Sequence, residues 1–444
     1  MSDLIIVGGG IGGLASAWFA RRRGWQVVLC EASPRLGGVV RSERAQGFLL
    51  EHGPDSLLAI KPEICALLHE LGLESRLVSV PEAARRSLIL HGERLLPVPE
   101  GLYLLAPGRL GPFLRSPLLS PLGKLRALAE LVLPRRRPEA PEESLAAFVR
   151  RRLGREVLER LAQPLVAGIY GADPEQLSLA ATFPQFLEME RRHGSLIRAL
   201  WAQRAAPARG ARYGLFVSLR DGLQELVEAL RAALHGVEFR LACPVLAVQR
   251  EGHRWLVDSA QGRLRGARLI LALPAWAAAE LVEDPLAAAL RAIPYGAMTT
   301  INLGFGEPLP LPEAAGFVVP AGARRRLLAC TFAHAKYPGR APPGQALLRA
   351  FVAGPAALAA DDEALLAAVL AELRAVLGPL PAPLVARVQR WPRSMAQYRV
   401  GHRQLVQRLR ALCPPGLALV GNGYDGIGLP DIVAQAERAV ASLA

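Results

Sequence analysis

The chain has 444 residues, a length that predicts two or three domains because a single hydrophobic core rarely grows so large. Hydrophobic residues make up 51% of it and charged residues 21%, and no apolar run of about 20 residues predicts a membrane-spanning helix. The net charge of +14 favours anionic partners, but aromatic residues reach only 6% and the charges lie throughout the chain, so a nucleic-acid partner is not expected. The five cysteines include no CxxC pair and the eight histidines show no metal-ligand spacing with them, which predicts reduced thiols in a cytoplasmic protein and no metal site.

The first predicted element is the apolar strand LIIV, which leads into the glycine-rich turn Gly8-Gly9-Gly10-Ile11-Gly12-Gly13 and a helix that ends near Gly24. In the spacing GxGxxG the first glycine makes the tight turn, the second admits a pyrophosphate and the third lets the helix pack on the strand. The helix N-terminus offers free N–H groups to the phosphates. A second strand, WQVVLCE, ends at Glu31, where a carboxylate can accept hydrogen bonds from a ribose. A glycine-rich turn of another α/β fold would not need that acid, so we predict dinucleotide binding.

The residues after Glu31 indicate which dinucleotide binds. Ala32 leads into SPRLGGVVRS, which places Arg35, the pair Gly37-Gly38 and Val39 within reach of the first turn. A nicotinamide-binding domain normally continues straight into its next helix, whereas a second backbone approach and a guanidinium suit the longer FAD molecule. No His or Cys lies in an evident attachment motif, so we predict one non-covalent FAD per chain.

The middle of the chain changes character twice. Between 90 and 208, apolar clusters alternate with prolines and isolated cations and then give way to helices. Such faces suit a membrane surface or the mouth of a site for an amphiphile, although a helical subdomain with a solvated basic face explains the same pattern. Between 284 and 403, alternating segments such as TTINLGFG and ALLRAFVAG predict strands of a sheet that covers a substrate cavity.

Motifs along nearly the whole chain resemble those of one flavoprotein family. They are RLGGVVRS, GPDSLLAIKPEICALLHELGLE, QPLVAGIYGADPEQLSLAATFPQFLEME, RWPRSMAQYRVGH and GYDGIGLPDI, in this order. The family is that of the oxygen-dependent porphyrinogen oxidases, within the amine oxidase and protoporphyrinogen oxidase group. The segment LLACTFAHAKYPGRAPPGQALLRAFV is similar to the Gram-positive-type coproporphyrinogen III oxidases. The chain departs from the group at Val39, where many members have arginine, and at Ser87, where protoporphyrinogen enzymes often carry a carboxylate-binding arginine.

The resemblance implies a fold of the α/β plus α+β class. A discontinuous Rossmann-like FAD-binding domain would comprise residues 1–80, 212–283 and 404–444, with a mixed-sheet substrate domain at 284–403 and the helical insertion at 90–208. Further FAD contacts are expected from the turn Gly53-Pro54-Asp55-Ser56, the backbone of Val245 near adenine, Trp391, and the loop residues Asn422, Gly426, Ile427, Gly428 and Leu429. A lone tryptophan is more often a core residue, and a plain C-terminal packing unit would explain the last segment without its many glycines.

The implied reaction is the six-electron oxidation of coproporphyrinogen III to coproporphyrin III in haem synthesis, with protoporphyrinogen IX as the alternative substrate. Three steps would each move a hydride from a meso carbon to flavin N5, and three dioxygen molecules would become three hydrogen peroxide molecules. No catalytic side chain is assigned, since the cofactor carries the chemistry. Substrate contacts are expected from Arg85, Arg86, the backbone of Gly168, and from Val318, Thr331 and Phe351, the last of which is also a plausible core residue.

Other functions agree less well with these motifs. A flavin amine oxidase or carotenoid desaturase would share the two ends of the chain but not its middle motifs. A basic flavoprotein that binds nucleic acid would need a stacking platform, which the sequence lacks. Peripheral contact with the inner face of the cell membrane and a homodimer are both compatible with the sequence.

Overall fold

The computed structural model describes residues 2–59, 61–103, 105–137, 139–205 and 216–444. The predicted boundary between the insertion and the second flavin-domain segment, at 208 to 212, lies outside these ranges. In chain order the strands are β1 (Ser2–Val7), β2 (Val27–Cys30), β3 (Ser42–Ala45), β4 (Phe48–Glu51), β5 (Leu57–Leu58), β6 (Leu77–Ser79), β7 (Ser87–His91), β8 (Arg94–Pro97), β9 (Leu102–Tyr103), β10 (Ala106–Pro107), β11 (Phe216–Leu219), β12 (Glu238–Arg240), β13 (Val245–Glu251), β14 (Arg254–Ser259), β15 (Gly262–Leu271), β16 (Tyr295–Phe305), β17 (Gly316–Val318), β18 (Leu327–Phe332), β19 (Ala346–Ala353), β20 (Val385–Ala396) and β21 (Leu417–Leu419).

The helices alternate with these strands and concentrate between β10 and β11. They are α1 (Ile11–Arg22), α2 (Pro62–Glu70), α3 (Leu110–Arg115), α4 (Pro121–Leu128), α5 (Leu145–Arg152), α6 (Arg155–Val157), α7 (Gln163–Tyr170), α8 (Leu179–Thr182), α9 (Pro184–His193), α10 (Leu196–Ala205), α11 (Gln224–Ala233), α12 (Ala275–Ala278), α13 (Leu286–Arg291), α14 (Ala333–Lys336), α15 (Pro355–Ala359), α16 (Asp362–Leu377), α17 (His402–Leu412) and α18 (Leu429–Ser442). A π-helical turn, Leu158–Ala162, joins α6 to α7.

The first sheet has the order β12-β2-β1-β15-β14-β13, and β21 pairs with β15 on its other side. Its strands β12, β2, β1, β15 and β21 run parallel, whereas β13, β14 and β15 form an antiparallel meander. Strands from three distant parts of the chain therefore share one sheet. The discontinuous Rossmann-like arrangement and the fold class expected from the sequence are confirmed.

Both faces of the first sheet are buried, as the continuous apolar run of β1 requires. Leu4 and Ile6 pack into a core with α1, α11 and α18, while Ile5 and Val7 pack into a second core with α12, α13 and α17. The alternation follows from the two-residue period of a strand.

The second sheet has the order β20-β16-β19-β18-β17-β7-β8 and is antiparallel except for the parallel pair β17 and β7. Ile301, Leu303, Leu348 and Ala350 turn one face towards α16, where they form an apolar core. The opposite face, with Thr300 and its neighbours at two-residue intervals, is turned towards the first domain. Thr300, Asn302 and Arg349 of this face are buried at the contact with the first domain, where the candidate site lies.

Two predicted boundaries differ from the structure. The insertion was expected to begin at 90, but Arg94–Pro97 form β8 of the second sheet because the hairpin from β7 continues its alternating pattern. The substrate domain was expected to begin at 284, but the apolar face of α13 packs in the core of the first sheet. The helices α3 to α10 form their own apolar core. Among the described residues no helix has the length and hydropathy needed to cross a bilayer.

Candidate functional site

Two glycine turns face each other at the carboxyl end of β1. The N–H of Gly37 donates to the Gly9 carbonyl over 2.8 Å, and Gly10 and Gly37 form an isolated parallel β-bridge. A Cβ added at Gly13 would lie 1.9 Å from the Gly8 carbonyl oxygen, so this glycine is required by packing. A Cβ added at Gly10 would meet no protein atom closer than the Gly38 Cα at 4.0 Å. The gap at Gly10 is therefore open to a ligand that approaches the backbone closely. We call the two facing turns, Gly8–Gly13 and Gly37–Gly38, together with this gap, the glycine cradle.

The start of α1 suits a phosphate. Its N-cap is Gly10, no side chain caps it, and its first turn holds no acidic residue. The N–H groups of that turn and the helix dipole are therefore directed at an anion in the cradle. Ile11 and Gly12, which were predicted to contact the cofactor, form this turn, and Gly12 is fixed by Val420 and Ile432, which a Cβ would approach to 3.0 and 3.2 Å.

Glu31 lies at the end of β2 beside the cradle. Its carboxylate accepts the N–H groups of Gly9 at 2.6 Å and Ser33 at 2.8 Å, and each oxygen keeps a lone pair for a ribose hydroxyl. The carbonyl oxygens of Glu31 and Ser33 accept the N–H groups of Cys243 and Ala242. These bonds bring the start of β13, with Val245, next to Glu31 and the exposed Ala32. The geometry fits a nucleotide that extends from the glycine cradle past Glu31.

Arg35, which was predicted to contact the cofactor, makes several hydrogen bonds within the protein. Its guanidinium donates to the carbonyls of Leu36 at 3.2 Å, Gly38 at 2.5 Å and Val40 at 3.1 Å. These bonds hold the second glycine turn in shape. Val39, which stands where many relatives of the group have arginine, is exposed at the rim.

The segment from Glu51 to Gly53 crosses the second sheet, and its successive backbone carbonyls accept hydrogen bonds from side chains of that sheet. Asn302 Nδ2 donates to the carbonyl of Glu51 at 3.0 Å. The carbonyl of His52 accepts from Thr300 Oγ1 and from Trp391 Nε1, both at 2.9 Å. These side chains lie on the face of the second sheet that is turned away from α16.

Gly53 completes the crossing. Arg349 Nη2 donates to the carbonyl of Gly53. A Cβ at Gly53 would lie 1.7 Å from the Val39 carbonyl oxygen, so only glycine lets the turn Gly53–Ser56 approach the second glycine turn. The predicted flavin-facing residues Gly53, Pro54 and Trp391 thus lie where the two domains meet.

A group of charges supports this crossing, in which Arg349 is buried and Asp55 and Lys336 are partly buried. Asp55 accepts Lys336 Nζ at 2.9 Å and lies 3.8 Å from the Arg349 guanidinium, and Ser56 Oγ donates to it at 2.7 Å. Burial opposes ionisation of Asp55, but the charges of Lys336 and Arg349 outweigh it and hold the pKa of the carboxyl well below its usual range. Asp55 is therefore an anion that fixes two cations and is not a proton donor.

The pKa of Glu51 is shifted in the direction opposite to that of Asp55. Burial raises the pKa of its carboxyl to about 7, although Ser42 Oγ at 2.7 Å and the Leu223 N–H at 2.8 Å donate to it. Glu51, Asp55, Asn302, Arg340 and Arg349 line a cavity of about 10 Å³, the size of one water molecule. The polar groups under the turn are thus packed with little free space.

The predicted substrate residues come together on the second sheet. Register places Thr331 beside Gly316 and Arg349, and Phe351 beside Thr300, so these side chains lie on the face that carries the Glu51–Gly53 crossing. Val318 is two residues from Gly316 on the same face. A Cβ at Gly168 on α7 would contact Val318 Cγ1 at 3.5 Å, so α7 closes one side of this surface.

Arg85 and Arg86 lie apart from this surface, at the start of the strand β7 next to β17. Both are exposed. Arg86 lies 3.6 Å from Glu100, whereas Arg85 has no acidic partner among the described residues and donates to the Val80 carbonyl at 3.4 Å. Ser87 pairs with Gly316, in the row that includes Thr331. The two arginines are thus placed at the rim of the surface and not within it.

The C-terminal loop returns to the glycine cradle between β21 and α18. Asn422 has its side-chain amide held by the Ser394 carbonyl at 2.7 Å, so that group is already used within the protein. The Gly428 N–H donates to Asp431 Oδ2 at 3.2 Å, which closes the helix cap. Among the loop residues expected to contact the cofactor, Ile427 and Leu429 therefore have backbone N–H groups without an acceptor in the described structure.

Several residues of the site were not predicted from the sequence. They are Thr300, Asn302, Lys336 and Arg349. The available signal was a polar residue inside an otherwise apolar strand, such as the arginine in ALLRAFVA. Such a residue is expensive to bury without a partner, so its position pointed to a contact across domains.

A dinucleotide cradle whose open side lies under a second sheet is the arrangement of an oxidoreductase in which cofactor and substrate meet between two domains. Residues 11–444 match the family model described as flavin containing amine oxidoreductase. The chain belongs to this family and is a flavin-dependent oxidoreductase. The open gap at Gly10 and the uncapped start of α1 fit such a cofactor.

Individual relatives are similar over nearly the whole of this chain and over most of their own length. A coproporphyrinogen III oxidase of Bacillus subtilis is 34% identical, with 99% of this chain and 98% of the relative covered. A coproporphyrinogen III oxidase of Propionibacterium freudenreichii is 35% identical, with 98% and 89% covered. A chloroplastic protoporphyrinogen oxidase of Nicotiana tabacum is 30% identical, with 96% and 82% covered. The resemblance to porphyrinogen oxidases that the motifs indicated is confirmed.

Solved structures agree with this relationship. A crystal structure from Exiguobacterium sp. 255-15, described as a candidate protoporphyrinogen oxidase, superposes with a TM-score of 0.89 at 34% identity and covers 99% of this chain and 98% of its own. A putrescine oxidase superposes with a TM-score of 0.72 at 17% identity, covering 100% of this chain and 98% of its own, which shows a shared fold.

The cradle predicts a specific result for Gly10→Val. Because Gly10 has extended backbone angles and an open Cβ position, the variant should fold while its side chain fills the ligand's place. We expect flavin affinity to fall at least about a hundredfold, equivalent to about 2.7 kcal/mol. The measurement is the flavin-to-protein absorbance ratio after reconstitution, together with the unfolding temperature of the flavin-free protein.

The matched control is Gly111→Val, since a Cβ at Gly111 meets nothing within 4 Å and the residue lies in α3, away from the cradle. It should retain flavin fully. Gly13→Ala should instead damage the fold, because its Cβ would overlap the Gly8 carbonyl. Flavin retention by Gly10→Val equal to that of the wild type would contradict the assignment of the cradle.

Proposed function

We propose that the flavin is FAD, bound non-covalently with one molecule per chain. Its pyrophosphate would lie at Gly10 and the start of α1, and its adenosine half would pass Glu31 towards Val245. Two glycine turns that meet through Gly37 and Gly9 give the long cradle that a two-nucleotide cofactor needs. The flavin ring would then reach the junction of Gly53, Trp391 and the loop before α18.

We propose further that the enzyme oxidises coproporphyrinogen III to coproporphyrin III with dioxygen as the acceptor. The observation that carries this proposal is the full-length similarity to relatives named coproporphyrinogen III oxidase. Val318, Phe351 and the Gly168 backbone support it, because they form an apolar patch suited to a flat macrocycle beside the polar side chains of the same face. FAD supplies hydride acceptance from the substrate's meso carbons and electron transfer to dioxygen.

In this proposal the side chains and backbone groups of the protein bind and orient the substrate and the flavin. Phe351 would stack on a pyrrole ring, and the absence of a side chain at Gly168 lets α7 approach the macrocycle. Asp55 is held as an anion by Lys336 and Arg349, so it does not exchange protons during turnover. The N–H groups of Ile427 and Leu429 lie at the start of α18, where a helix dipole stabilises negative charge.

Protoporphyrinogen IX is the second candidate, because the tobacco protoporphyrinogen oxidase is also similar over most of its length. The two substrates differ at the macrocycle edge: coproporphyrinogen has four propionates, whereas protoporphyrinogen has two propionates and two vinyl groups. The exposed Arg85 and Arg86 at the rim favour the substrate with more carboxylates.

Substrate choice and the rim arginines are tested together. For Arg85→Ala combined with Arg86→Ala we expect the Michaelis constant for coproporphyrinogen III to rise about three- to tenfold, because exposed charge-assisted contacts are weakened by solvent. Turnover should change little, since these groups only hold the substrate. Arg85→Ala alone should have the larger single effect, because Arg86 already lies near Glu100. Porphyrin fluorescence under air is the assay.

The control carries Arg263→Ala and Arg265→Ala, which remove two exposed arginines near the start of β15 in the first sheet. It should leave both kinetic constants unchanged. A clear preference of the wild type for protoporphyrinogen IX would transfer the protein to the second candidate. Unchanged kinetics in the Arg85 and Arg86 double variant would remove these arginines from the site.

We also propose weak, reversible contact with an anionic membrane surface through the helical part. Leu122 and Leu125 on α4 are 78% and 66% exposed, Val132 is 79% exposed, and the cation Lys124 lies between the two leucines in the sequence, whereas the Arg126 guanidinium donates to backbone carbonyls of the protein. Apolar side chains edged by cations suit the headgroup region of acidic lipid. The expected cytoplasmic location and homodimer stay predictions, which cell fractionation and gel filtration test.

Replacing Leu122 and Leu125 by Asp should lower binding to phosphatidylglycerol-containing vesicles at least about tenfold, because two apolar anchors are lost and negative charge is added. The measurement is co-sedimentation at low and high salt. The control replaces Leu246 and Leu384, which are 64% and 55% exposed on other elements, by Asp. Equal loss in the control, or a wild type that only detergent releases from membranes, would contradict this contact.

A further inference from the structure

The loop Gly421–Gly428 is shaped by a residue outside it. Tyr398 follows β20, in the motif MAQYRVGH, and its side chain is buried. Its hydroxyl donates to the Asn422 carbonyl at 2.8 Å and accepts the Gly426 N–H at 2.8 Å. One phenol therefore joins the two limbs of the loop, with both its donor and its acceptor capacity in use.

A histidine supports the phenol from behind. The ring of His402, the first residue of α17, stacks on the ring of Tyr398 with centroids 3.9 Å apart and planes 13° from parallel. Its Nε2 donates to the Tyr424 carbonyl at 2.9 Å, in the middle of the same loop. Three hydrogen bonds thus join the loop to two stacked, buried rings: the loop accepts two of them and donates the third.

Both rings are neutral in this setting. Burial lowers the pKa of His402, so the imidazole is uncharged at neutral pH and its single proton lies on Nε2, facing the carbonyl. Burial raises the pKa of Tyr398 well above its usual range, which keeps the hydroxyl proton available to Asn422. The bonds to the loop are therefore present at neutral pH.

We infer that Tyr398, backed by His402, is a positioning residue that holds the loop Gly421–Gly428 in the shape the flavin requires. This inference rests on the proposed placement of the flavin beside that loop. Without the hydroxyl, the Asn422 carbonyl and the Gly426 N–H lose their partner, and the loop can open where Ile427 and Leu429 present their N–H groups. The bound cofactor should respond, while the substrate surface on the second sheet should not.

The test compares Tyr398→Phe with Tyr424→Phe in reconstituted holoenzyme. Both changes delete one buried hydroxyl, but the Tyr424 hydroxyl has no hydrogen-bond partner among the described residues, so it is a matched control in the same loop. For Tyr398→Phe we expect the FAD dissociation constant to rise about tenfold and the visible circular dichroism of the flavin to change. The affinity for reduced flavin should fall by a further factor of about ten. This difference moves the midpoint potential of the flavin about 30 mV more negative, since the couple transfers two electrons.

The outcomes separate the alternatives. A wild type that takes up no FAD would overturn the proposed function and this inference with it. A wild type that binds FAD, with Tyr398→Phe equal to it in affinity, dichroism and potential, would overturn the inference alone. Equal losses in Tyr424→Phe, or an equal fall in the unfolding temperature of flavin-free and flavin-bound Tyr398→Phe, would show a general packing effect and also overturn it. An unchanged Michaelis constant for porphyrinogen in Tyr398→Phe, with the control unaffected, supports the positioning role.

Discussion

The contact between the two domains depends on one segment, Glu51 to Gly53, which crosses the inner face of the second sheet. Each backbone carbonyl of this segment accepts a hydrogen bond from a side chain of that sheet. Asn302, Thr300, Trp391 and Arg349 are the donors. A buried carbonyl without a donor is costly, so these bonds fix the crossing at one height and one register. Because Gly53 also touches the carbonyl of Val39, the same crossing places the second glycine turn relative to the sheet.

The charges beneath the crossing explain why this arrangement is stable. Arg349 is almost fully buried, and a cation in that position needs an anion close by; Asp55 provides it and also binds Lys336. The polar network thus occupies one part of the inner face of the second sheet, whereas Val318 and Phe351 give the neighbouring part an apolar character. The hydrogen bonds and ion pairs around Arg349 can keep a cofactor site rigid, and the apolar patch of Val318 and Phe351 can contact a large, flat substrate. The two parts together suit a site that binds both molecules.

The sequence predicts the structural features that depend on neighbouring residues, such as the glycine turns. It does not predict the contacts between residues that lie far apart in the chain. The spacing of Gly8, Gly10 and Gly13 predicts the cradle because each glycine answers a local need. The bonds that tie the crossing join residues 248 to 339 positions apart, and neither spacing nor periodicity encodes them. Arg35 was predicted to contact the cofactor, but the sequence does not show that its guanidinium also donates to the carbonyls of a turn whose conformation only the structure reveals. Likewise, β8 and α13 were assigned to the wrong neighbours, since an alternating or apolar segment does not specify the sheet it joins.

The central claim is that a porphyrinogen reduces a flavin held between the cradle and the second sheet. The most direct measurement mixes the purified holoenzyme with a limiting amount of coproporphyrinogen III in the absence of oxygen and follows the visible absorbance of the flavin. Each substrate molecule should bleach about three flavins, since aromatisation releases six electrons and each flavin takes two, and admission of oxygen should restore the yellow colour. A flavin that stays oxidised with both coproporphyrinogen III and protoporphyrinogen IX would contradict the account.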